Sequence, residues 1–234
     1  MSEKKILIIP ARQGSKRIKN KNFIEIGNKK LIDHVIFNAL KSKLFSKIII
    51  STDNKNYINK SLFRNNNKIL FNYRNSKLSN DKATIIDVVK YIINFYKLKN
   101  DIVFCTFPTA IFVNSNLYKK AIKKYQNNKN SILVTIKEYE HPIDRAIILK
   151  KNNRARLAIN ENSRKRTQDL IKYYYDAGQF YLANSKVWLK EKKILSANFY
   201  PILLDKLQST FFIDIDELED LKKLKLLYNI KNAL

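Results

Sequence analysis

The feature that most constrains the fold of this 234-residue chain is a repeated alternation of short apolar runs with amphipathic stretches. The apolar runs are rich in Ile, Val and Phe, and each has the length of a strand. They lie at residues 6–9, 48–50, 68–71, 102–105 and 132–136. A continuous apolar run is typical of a strand that is buried on both faces, so we predict parallel strands at these positions.

The stretches between the apolar runs have helical periodicity. Leu31, Val35 and Ala39 fall on one helical face, and the same spacing recurs within residues 85–93 and 117–125. Strands that alternate with helices predict an α/β fold with an open, mostly parallel sheet and right-handed crossovers. Ligands bind such a sheet at the carboxyl ends of its strands, so we expect the loop after the first strand to lie in the site.

The alternation ends near residue 138. Shorter mixed segments follow at residues 145–149, 155–159 and 179–182, and a predicted helix over residues 217–228 closes the chain. We interpret residues 139–176 as an arm inserted into a single domain that spans residues 1–234.

The formal net charge of +26 is also the electrostatic signature of nucleic-acid binding. The Lys and Arg residues are spread along the whole chain instead of forming one stripe, which argues against a specific nucleic-acid partner. The only cysteine, Cys105, lies within an apolar run, so we predict a buried thiol and no disulfide within the chain. The apolar residues before Arg12 are too few for a signal peptide or a membrane span, and we predict a cytoplasmic protein.

A dense basic segment follows the first predicted strand. It begins at Pro10 and includes Arg12, Gly14, Ser15 and Lys16. A loop of this composition offers backbone N–H groups, a bidentate guanidinium and a mobile ammonium, which suit a triphosphate. Neither the P-loop ending nor the GxGxxG spacing is present. The alternative is a basic loop that is merely solvated.

Two aspartates near the end of the chain, Asp214 and Asp216, are separated by one residue. If this segment is a strand, both side chains project from one face and can share Mg²⁺, which prefers oxygen ligands and also bridges phosphates. Asp216 also precedes a predicted helix and suits an N-cap, so both interpretations of Asp216 stay open.

Several segments, in order along nearly the whole chain, together resemble the acylneuraminate cytidylyltransferase family. Within that family, the Tyr-Asp-Ala-Gly-Gln-Phe-Tyr segment at 175–181 looks like the branch that activates pseudaminic acid. The segments that carry the resemblance are Ile-Pro-Ala-Arg-x-Gly-Ser-Lys-Arg at 9–17, Lys21-Asn22, Ser-Thr-Asp at 51–53, Arg74, Leu-Ser-Asn-Asp at 78–81, Pro108-Thr109, Arg-Thr-Gln-Asp at 166–169 and Asp-Ile-Asp at 214–216.

This resemblance implies a nucleotidyltransferase with a Rossmann-like fold of the glycosyltransferase-A type, which joins CMP from CTP to a nine-carbon 2-keto sugar acid and releases pyrophosphate. It implies Mg²⁺ as cofactor and a homodimer that exchanges the arm. Arg12, Lys21 and Asp214 would be catalytic, and Asp214 with Asp216 would bind Mg²⁺. The residues implied for the nucleotide are Ala11, Arg12, Gly14, Ser15, Lys16, Lys21, Asn22, Arg74, Asn80 and Asp81, and those implied for the sugar are Arg166, Gln168, Gln179 and Tyr181.

Three positions depart from the family pattern. Gln13 stands where many members have Gly, which the loop tolerates if the φ angle there is negative. Asn80 replaces Ser or Asp, and Phe107 stands where enzymes for sialic acid often have Gln. The alternatives are therefore the same reaction on legionaminate, N-acetylneuraminate or 3-deoxy-manno-octulosonate and, from a different class, a basic nucleic-acid-binding protein.

Overall fold

The computed structural model describes residues 3–151, 153–159, 164–196 and 199–233. Its strands are β1 Lys5–Pro10, β2 Glu25–Ile26, β3 Lys29–Lys30, β4 Lys47–Thr52, β5 Ile69–Tyr73, β6 Ile102–Thr106, β7 Ile132–Glu138, β8 Ile147–Leu149, β9 Ala155–Leu157, β10 Tyr174–Asn184 and β11 Phe199–Leu203. Its α-helices are α1 Leu31–Ser42, α2 Lys55–Lys60, α3 Ser76–Ser79, α4 Ile85–Phe95, α5 Ser115–Gln126, α6 Ser185–Lys190, α7 Lys206–Ser209 and α8 Leu218–Ala233.

The larger sheet of the described chain has seven strands in the order β11-β7-β10-β6-β1-β4-β5. Strand β1 pairs in parallel with both β4 and β6, and β4 pairs in parallel with β5. Strand β10 runs antiparallel to both of its neighbours, β6 and β7. The predicted α/β fold with a mostly parallel sheet is confirmed, as are the five strands predicted from the apolar runs.

Helices cover both faces of this sheet because the side chains of each central strand point alternately to either side. From β1, Leu7 and Ile9 pack into one apolar cluster with α1, α5 and α8. Ile6 and Ile8 pack into the other with α4 and α6, where Trp188 is fully buried and donates from Nε1 to the carbonyl of Val103 at 3.0 Å. Two complete cores fix the sheet, so the loops at its carboxyl edge start from rigid strand ends.

The predicted arm leaves the sheet after β7 and returns in β10. It contains the two-stranded β8–β9 hairpin and 3₁₀ turns at Ile143–Arg145 and Thr167–Asp169. Ile147, Leu149 and Ile171 are 63%, 77% and 65% exposed, so the arm presents apolar side chains that this chain does not cover. Residues 160–163, which belong to the predicted arm, lie outside the described residues.

The end of the chain differs from its prediction in two respects. Residues 212–216 form no strand, so Asp214 and Asp216 are not held by sheet pairing. The last helix begins at Leu218 and runs to Ala233, beyond the predicted end at residue 228. In the part of the chain that the structure describes, no helix has both the length and the apolar character needed to cross a membrane.

Candidate active site

A cleft of about 660 Å³ opens at the carboxyl ends of β1 and β6, where the fold class predicts a ligand. A second cavity of about 260 Å³ adjoins it and shares four residues with it: Arg12, Lys21, Asn22 and Asp81. The predicted site residues that line the larger cleft are Arg12, Lys21, Asn22, Arg74, Asn80, Asp81, Tyr181 and Asp214. Ser15, Lys16 and Asp216 line the smaller cavity, together with Arg17.

The basic loop after β1 is tied to its neighbours by backbone hydrogen bonds. The amide of Ala11 donates to the carbonyl of Ser51 at 2.8 Å, and the amide of Gln13 donates to Oδ1 of Asp53 at 2.7 Å. From the other side, Nδ2 of Asn22 donates to the carbonyl of Arg12 at 2.9 Å. Strand β4 and the loop after it therefore set the position of the basic loop.

These bonds change the expected roles of the loop amides. The amides of Gln13 and Ser15 are already used, because Ser15 donates to the carbonyl of Gln13 at 2.9 Å. Ala11 is fully buried, its amide is also used, and it lines neither cavity, so the structure does not place it as a nucleotide contact. The φ angle of Gln13 is not positive, and this is the condition under which the loop tolerates a residue other than glycine at that position. The loop therefore faces the cavities chiefly with cationic side chains.

Asp81 lies against two of these cations. Its Oδ1 accepts from Nη1 of Arg12 at 2.8 Å, and its Oδ2 lies 2.6 Å from Nζ of Lys16. Hydrogen bonds from Lys16 and then from Arg12 hold the pKa of Asp81 below its usual value. Asp81 therefore lines the cleft and is also a counter-ion of two cations of the basic loop.

Lys21 and Arg17 are paired with a second carboxylate, that of Asp216. Nζ of Lys21 donates to the carbonyl of Ile215 and lies 3.8 Å from Oδ1 of Asp216. Nη2 of Arg17 lies 3.3 Å from the same carboxylate oxygen. The Asp216 side chain thus pairs with cations, whereas the amides of Asp216 and Glu217 are capped by Asp220 at 2.9 and 2.8 Å.

Arg74 is the most unusual cation of the cleft. It is 3% exposed, and its Nε and Nη2 atoms are buried without a hydrogen-bond partner among the described residues. Burial lowers the pKa of Arg74, and the carboxylate of Asp53 partly offsets this effect. A buried guanidinium with unused donors costs free energy unless a ligand satisfies them, so Arg74 is a strong candidate for binding a polar group deep in the cleft.

Asn80 lines the cleft, and its side chain makes three hydrogen bonds within the turn after α3. Its Oδ1 accepts from the amides of Lys82 and Ala83 at 2.9 and 3.0 Å, and its Nδ2 donates to the carbonyl of Lys77 at 2.8 Å. The turn delivers Thr84 to the start of α4, where Thr84 and Asp87 form a reciprocal capping box. Asn80 therefore holds the backbone of Lys82 and Ala83, which line the cleft, in position.

The carboxylates of the cleft come from two parts of the chain. Asp214 is open to solvent through the cleft, yet protein atoms surround most of it, and this desolvation raises its pKa. The charge of Lys21 opposes the rise, while Asp216 and Asp176 add to it. Gly178 has φ +59°, and a Cβ atom there would lie 3.1 Å from Oδ2 of Asp214. Gly178 thus leaves room for the Asp214 carboxylate.

These oxygens suit Mg²⁺. No group of three or more His, Cys, Asp or Glu side chains that could hold a metal occurs within the described residues. Mg²⁺ is, however, commonly held by only one or two carboxylates together with substrate phosphates. Asp214 lines the larger cleft, and Asp216 lines the smaller cavity beside the basic loop. Desolvation, with smaller contributions from Asp216 and Asp176, raises the pKa of Asp214, so a bound cation would stabilise its charged form. The donor set therefore fits the metal.

The four residues expected at the sugar have different positions. Tyr181 lines the cleft, and its hydroxyl donates to Oδ2 of Asp176 at 2.7 Å; burial, followed by the Asp176 charge, raises the pKa of Tyr181. Gln179 is 1% exposed, does not line the cleft and donates from Nε2 to the carbonyl of Ala177 at 2.7 Å. Arg166 and Gln168 are exposed on the arm and line neither of the two cavities.

Several residues of the site were not among those predicted from the sequence; Arg17 lines the smaller cavity, and Asp53 and Asp176 act on residues of the larger cleft. Asp53 orients the basic loop and stabilises the charged form of Arg74. Asp176 lines the cleft, and its charge acts on Asp214. Asp53 and Asp176 stand within segments that resemble the family, Ser-Thr-Asp and Tyr-Asp-Ala-Gly-Gln-Phe-Tyr, so a signal was available. Their individual roles depend on contacts with distant residues, which local sequence does not specify.

Comparisons with known proteins identify the family of this chain. Residues 6–232 match the model of a family described as cytidylyltransferase. Pseudaminic acid cytidylyltransferase from Campylobacter jejuni serotype O:2 is 36% identical over 232 residues, which cover 98% of each chain. N-acylneuraminate cytidylyltransferase from Streptococcus agalactiae serotype V is 28% identical over 93% of this chain and 51% of its own length.

A solved structure resembles the fold as well. CMP:2-keto-3-deoxy-manno-octonic acid synthetase, determined as a complex with CTP, superposes with a TM-score of 0.65 at 15% identity. The match covers 98% of this chain and 100% of the synthetase. At this identity the likeness concerns the fold, and it agrees with the arrangement of the sheet and its covering helices.

Proposed function

This chain belongs to the cytidylyltransferase family, and we propose on that premise that it transfers CMP from CTP to the anomeric hydroxyl of pseudaminic acid and releases pyrophosphate. It is a nucleotidyltransferase of the CMP-sugar synthetase class. The observation that best supports the proposal is a cleft at the carboxyl edge of the sheet that brings together the cations Arg12 and Lys21 and the carboxylate of Asp214.

The smaller cavity fits the triphosphate of CTP. Arg12, Lys16, Arg17 and Lys21 line it, and Ser15 adds a hydroxyl. Arginine supplies a planar fork and lysine a point charge, which together match the oxygens of a phosphate chain. In the resting enzyme these cations are paired with Asp81 and Asp216. CTP would take over these contacts when it binds.

The unused donors of Arg74 fit a nucleobase. Cytosine presents a carbonyl oxygen and a ring nitrogen, both of which accept hydrogen bonds, at the same edge. The buried Nε and Nη2 atoms of Arg74 have no partner among the described residues, so they can donate to such an edge. A base that cannot accept these bonds would leave the guanidinium unpaired, and this penalty discriminates strongly between bases.

The reaction needs no covalent enzyme intermediate. The anomeric hydroxyl attacks the α-phosphorus in line, the bond to the pyrophosphate oxygen breaks, and the hydroxyl proton leaves to a base or to solvent. Arg12 and Lys21 stabilise the charge that develops on the departing pyrophosphate, and the cleft holds the two reactants in the required orientation. Arg12 and Lys21 therefore act as electrostatic catalysts.

Asp214 and Asp216 would hold Mg²⁺ beside this phosphate chain. When bound, the ion supplies Lewis-acid polarisation of the phosphoryl oxygens and offsets their negative charge. Release of Asp216 from Arg17 and Lys21 upon CTP binding would make both carboxylates available together.

The arm bears on the oligomer that we propose, a homodimer. Ile147, Leu149 and Ile171 are exposed on it, and a second copy of the chain would cover these apolar side chains. Arg166 and Gln168 lie on the same arm, outside the cavities of their own chain. In an arm-exchanged dimer they would reach the cleft of the other subunit and contact the sugar acid there.

The test is pyrophosphate release from CTP and Mg²⁺ with purified protein and a panel of sugar acids. The panel contains pseudaminic acid, legionaminate, N-acetylneuraminate and 3-deoxy-manno-octulosonate, with ATP, GTP and UTP as controls in place of CTP. We expect turnover with CTP and pseudaminic acid. Turnover only with another acid would keep the reaction and change the substrate, and turnover with none would overturn the proposal.

A further inference from the structure

One wall of the larger cleft is apolar, although the cleft also contains the charged side chains of Arg12, Lys21, Arg74 and Asp214. Ile85 and Val88 of α4 and Phe107 after β6 form this wall. Val88 is 1% exposed, and Ile85 and Phe107 pack against the apolar cluster under the sheet. The wall is therefore a continuation of the core into the cleft.

Phe107 is held in place by two backbone hydrogen bonds and by a contact of its ring with Tyr181. Its amide donates to the carbonyl of Gln179 at 3.4 Å, and its carbonyl accepts from the amide of Ala110 at 3.0 Å. Its ring contacts that of Tyr181 edge to face, with centroids 5.6 Å apart and an interplanar angle of 90°. Such support leaves the ring little freedom to turn away from a ligand.

A chain of contacts connects this wall to the reaction centre. Phe107 packs on Tyr181, the Tyr181 hydroxyl donates to Asp176, and the amide of Gly178 donates to the other oxygen of Asp176 at 2.9 Å. Gly178 in turn faces the carboxylate of Asp214. Phe107 therefore lies on the side of the cleft that holds Tyr181 and Asp214, the side to which the proposed function assigns the sugar acid.

We propose that Phe107, supported by Ile85 and Val88, is a specificity-determining residue that selects sugar acids with deoxygenated and acylated carbons over polyhydroxylated ones. This inference rests on the proposed function. An apolar wall offers no partner to a hydroxyl group, so a hydroxyl placed there loses its hydrogen bonds to water. Pseudaminic acid ends in a methyl group and has two acylamino groups, whereas N-acetylneuraminate ends in a hydroxylated tail.

The experiment compares Phe107→Gln, which introduces an amide, with Phe107→Leu, which keeps the wall apolar. The kcat/KM values for pseudaminic acid and N-acetylneuraminate and the KM for CTP are measured for both variants and for the wild type. Ile85→Gln tests a second position of the wall, because Ile85 is partly exposed at the start of α4. Phe95→Gln is the matched control, since Phe95 is 57% exposed at the far end of the same helix.

For Phe107→Gln we expect kcat/KM for pseudaminic acid to fall about ten- to one-hundred-fold, as pocket substitutions of this size do. The preference for pseudaminic acid over N-acetylneuraminate should fall with it, while the KM for CTP changes less than about threefold. Phe107→Leu should retain the preference, and Phe95→Gln should match the wild type. Thermal unfolding shows whether Phe107→Gln has lost its fold. If it has, the test is the ratio of kcat/KM for pseudaminic acid to kcat/KM for N-acetylneuraminate in Ile85→Gln, which should fall below the wild-type ratio.

Three results would overturn the inference. One is an equal loss on both sugar acids, which would make Phe107 a purely structural residue. Another is a large rise in the KM for CTP, which would place the wall against the cytosine. The third is a wild-type enzyme that uses N-acetylneuraminate as efficiently as pseudaminic acid. That third result would leave cytidylyl transfer itself intact, whereas a wild type without any turnover would refute the proposed function.

Discussion

Asp81 accepts a hydrogen bond from Arg12 at 2.8 Å, although 69 residues separate them in the chain. The same carboxylate lies 2.6 Å from Nζ of Lys16. Two cations that line the smaller cavity are therefore paired with one acidic side chain before any nucleotide is present. CTP must compete with Asp81 for these cations.

This competition predicts the behaviour of Asp81→Asn. The variant frees Arg12 and Lys16 without changing the shape of the side chain, so inorganic pyrophosphate should bind about two- to tenfold more tightly. Isothermal titration calorimetry with pyrophosphate measures the change. Asp101→Asn is the control, because it removes the same charge just before β6, at the opposite edge of the sheet. Weaker or unchanged binding by Asp81→Asn would show that Asp81 does not compete with phosphate.

Asp214→Asn should abolish turnover that depends on Mg²⁺. A metal contributes several kcal/mol to such transition states, so we expect kcat to fall by about one hundredfold or more. The protein surroundings raise the pKa of Asp214 and thus disfavour its charge, so the neutral amide should leave the thermal unfolding midpoint unchanged or higher. Pyrophosphate release is measured against Mg²⁺ concentration. Wild-type turnover with an unaltered Mg²⁺ dependence would remove the metal role.

Arg74→Met should separate stability from activity. Methionine has a similar length and no charge, so the variant removes buried donors that lack partners, and the unliganded protein should gain about 1 kcal/mol or more in free energy of unfolding. The KM for CTP should rise at least about tenfold because the hydrogen bonds to the base are lost. Chemical denaturation and steady-state kinetics measure the two effects.

Arg64→Met is the control for this variant, because Arg64 is exposed and its contact is a long 3.3 Å hydrogen bond to the carbonyl of Asn59. It should change neither quantity appreciably. Destabilisation by Arg74→Met together with an unaffected KM for CTP would show that Arg74 has a structural role.

Gly178→Ala should damage the site more than the fold. An L-residue at φ +59° costs about 1–2 kcal/mol, and the added Cβ would press on the Asp214 carboxylate at 3.1 Å. We therefore expect a lower thermal midpoint and a higher Mg²⁺ concentration for half-maximal turnover. Gly27→Ala is the matched control: its φ is +62°, and its Cβ would meet the Tyr228 ring, away from the cleft. If both variants change the Mg²⁺ dependence equally, Gly178 has no specific relation to Asp214.

The central sheet could be predicted because buried parallel strands leave a plain signal of continuous β-branched runs. Strand β11 gives no such signal, since it includes Pro201 and lies at the edge of the sheet, where a missing N–H is tolerated. Strand β10 was not predicted as a strand, and the sequence indicated only a short mixed segment over residues 179–182. Its first half contains Asp176 and Gly178, which line the cleft, and it has a register shift relative to β7. Its residues therefore do not show the regular alternation of apolar and polar side chains that a strand usually has.

The cations of the basic loop were predictable because they form one short segment directly after a strand, whereas Arg74 lies elsewhere in the chain. Their resting partners were not, because Asp81 and Asp216 reach them only through the tertiary fold. Gln179 shows the opposite limit. Its place in a motif suggested a sugar contact, but the turn at Gly178 brings the Gln179 amide within bonding distance of the Ala177 carbonyl. A motif identifies the segment, and only the fold shows which of its side chains face the cleft.

Strand β10 begins at Tyr174, within the last three residues of the arm, and continues without interruption through Asp176, Gly178 and Tyr181 into the middle of the sheet. The arm and the floor of the cleft are therefore one stretch of backbone, with no linker between them. Such an arrangement is not modular. A shorter arm cannot be obtained by simple excision, and a relative's arm cannot be grafted as a cassette without redesigning the catalytic centre at the same time.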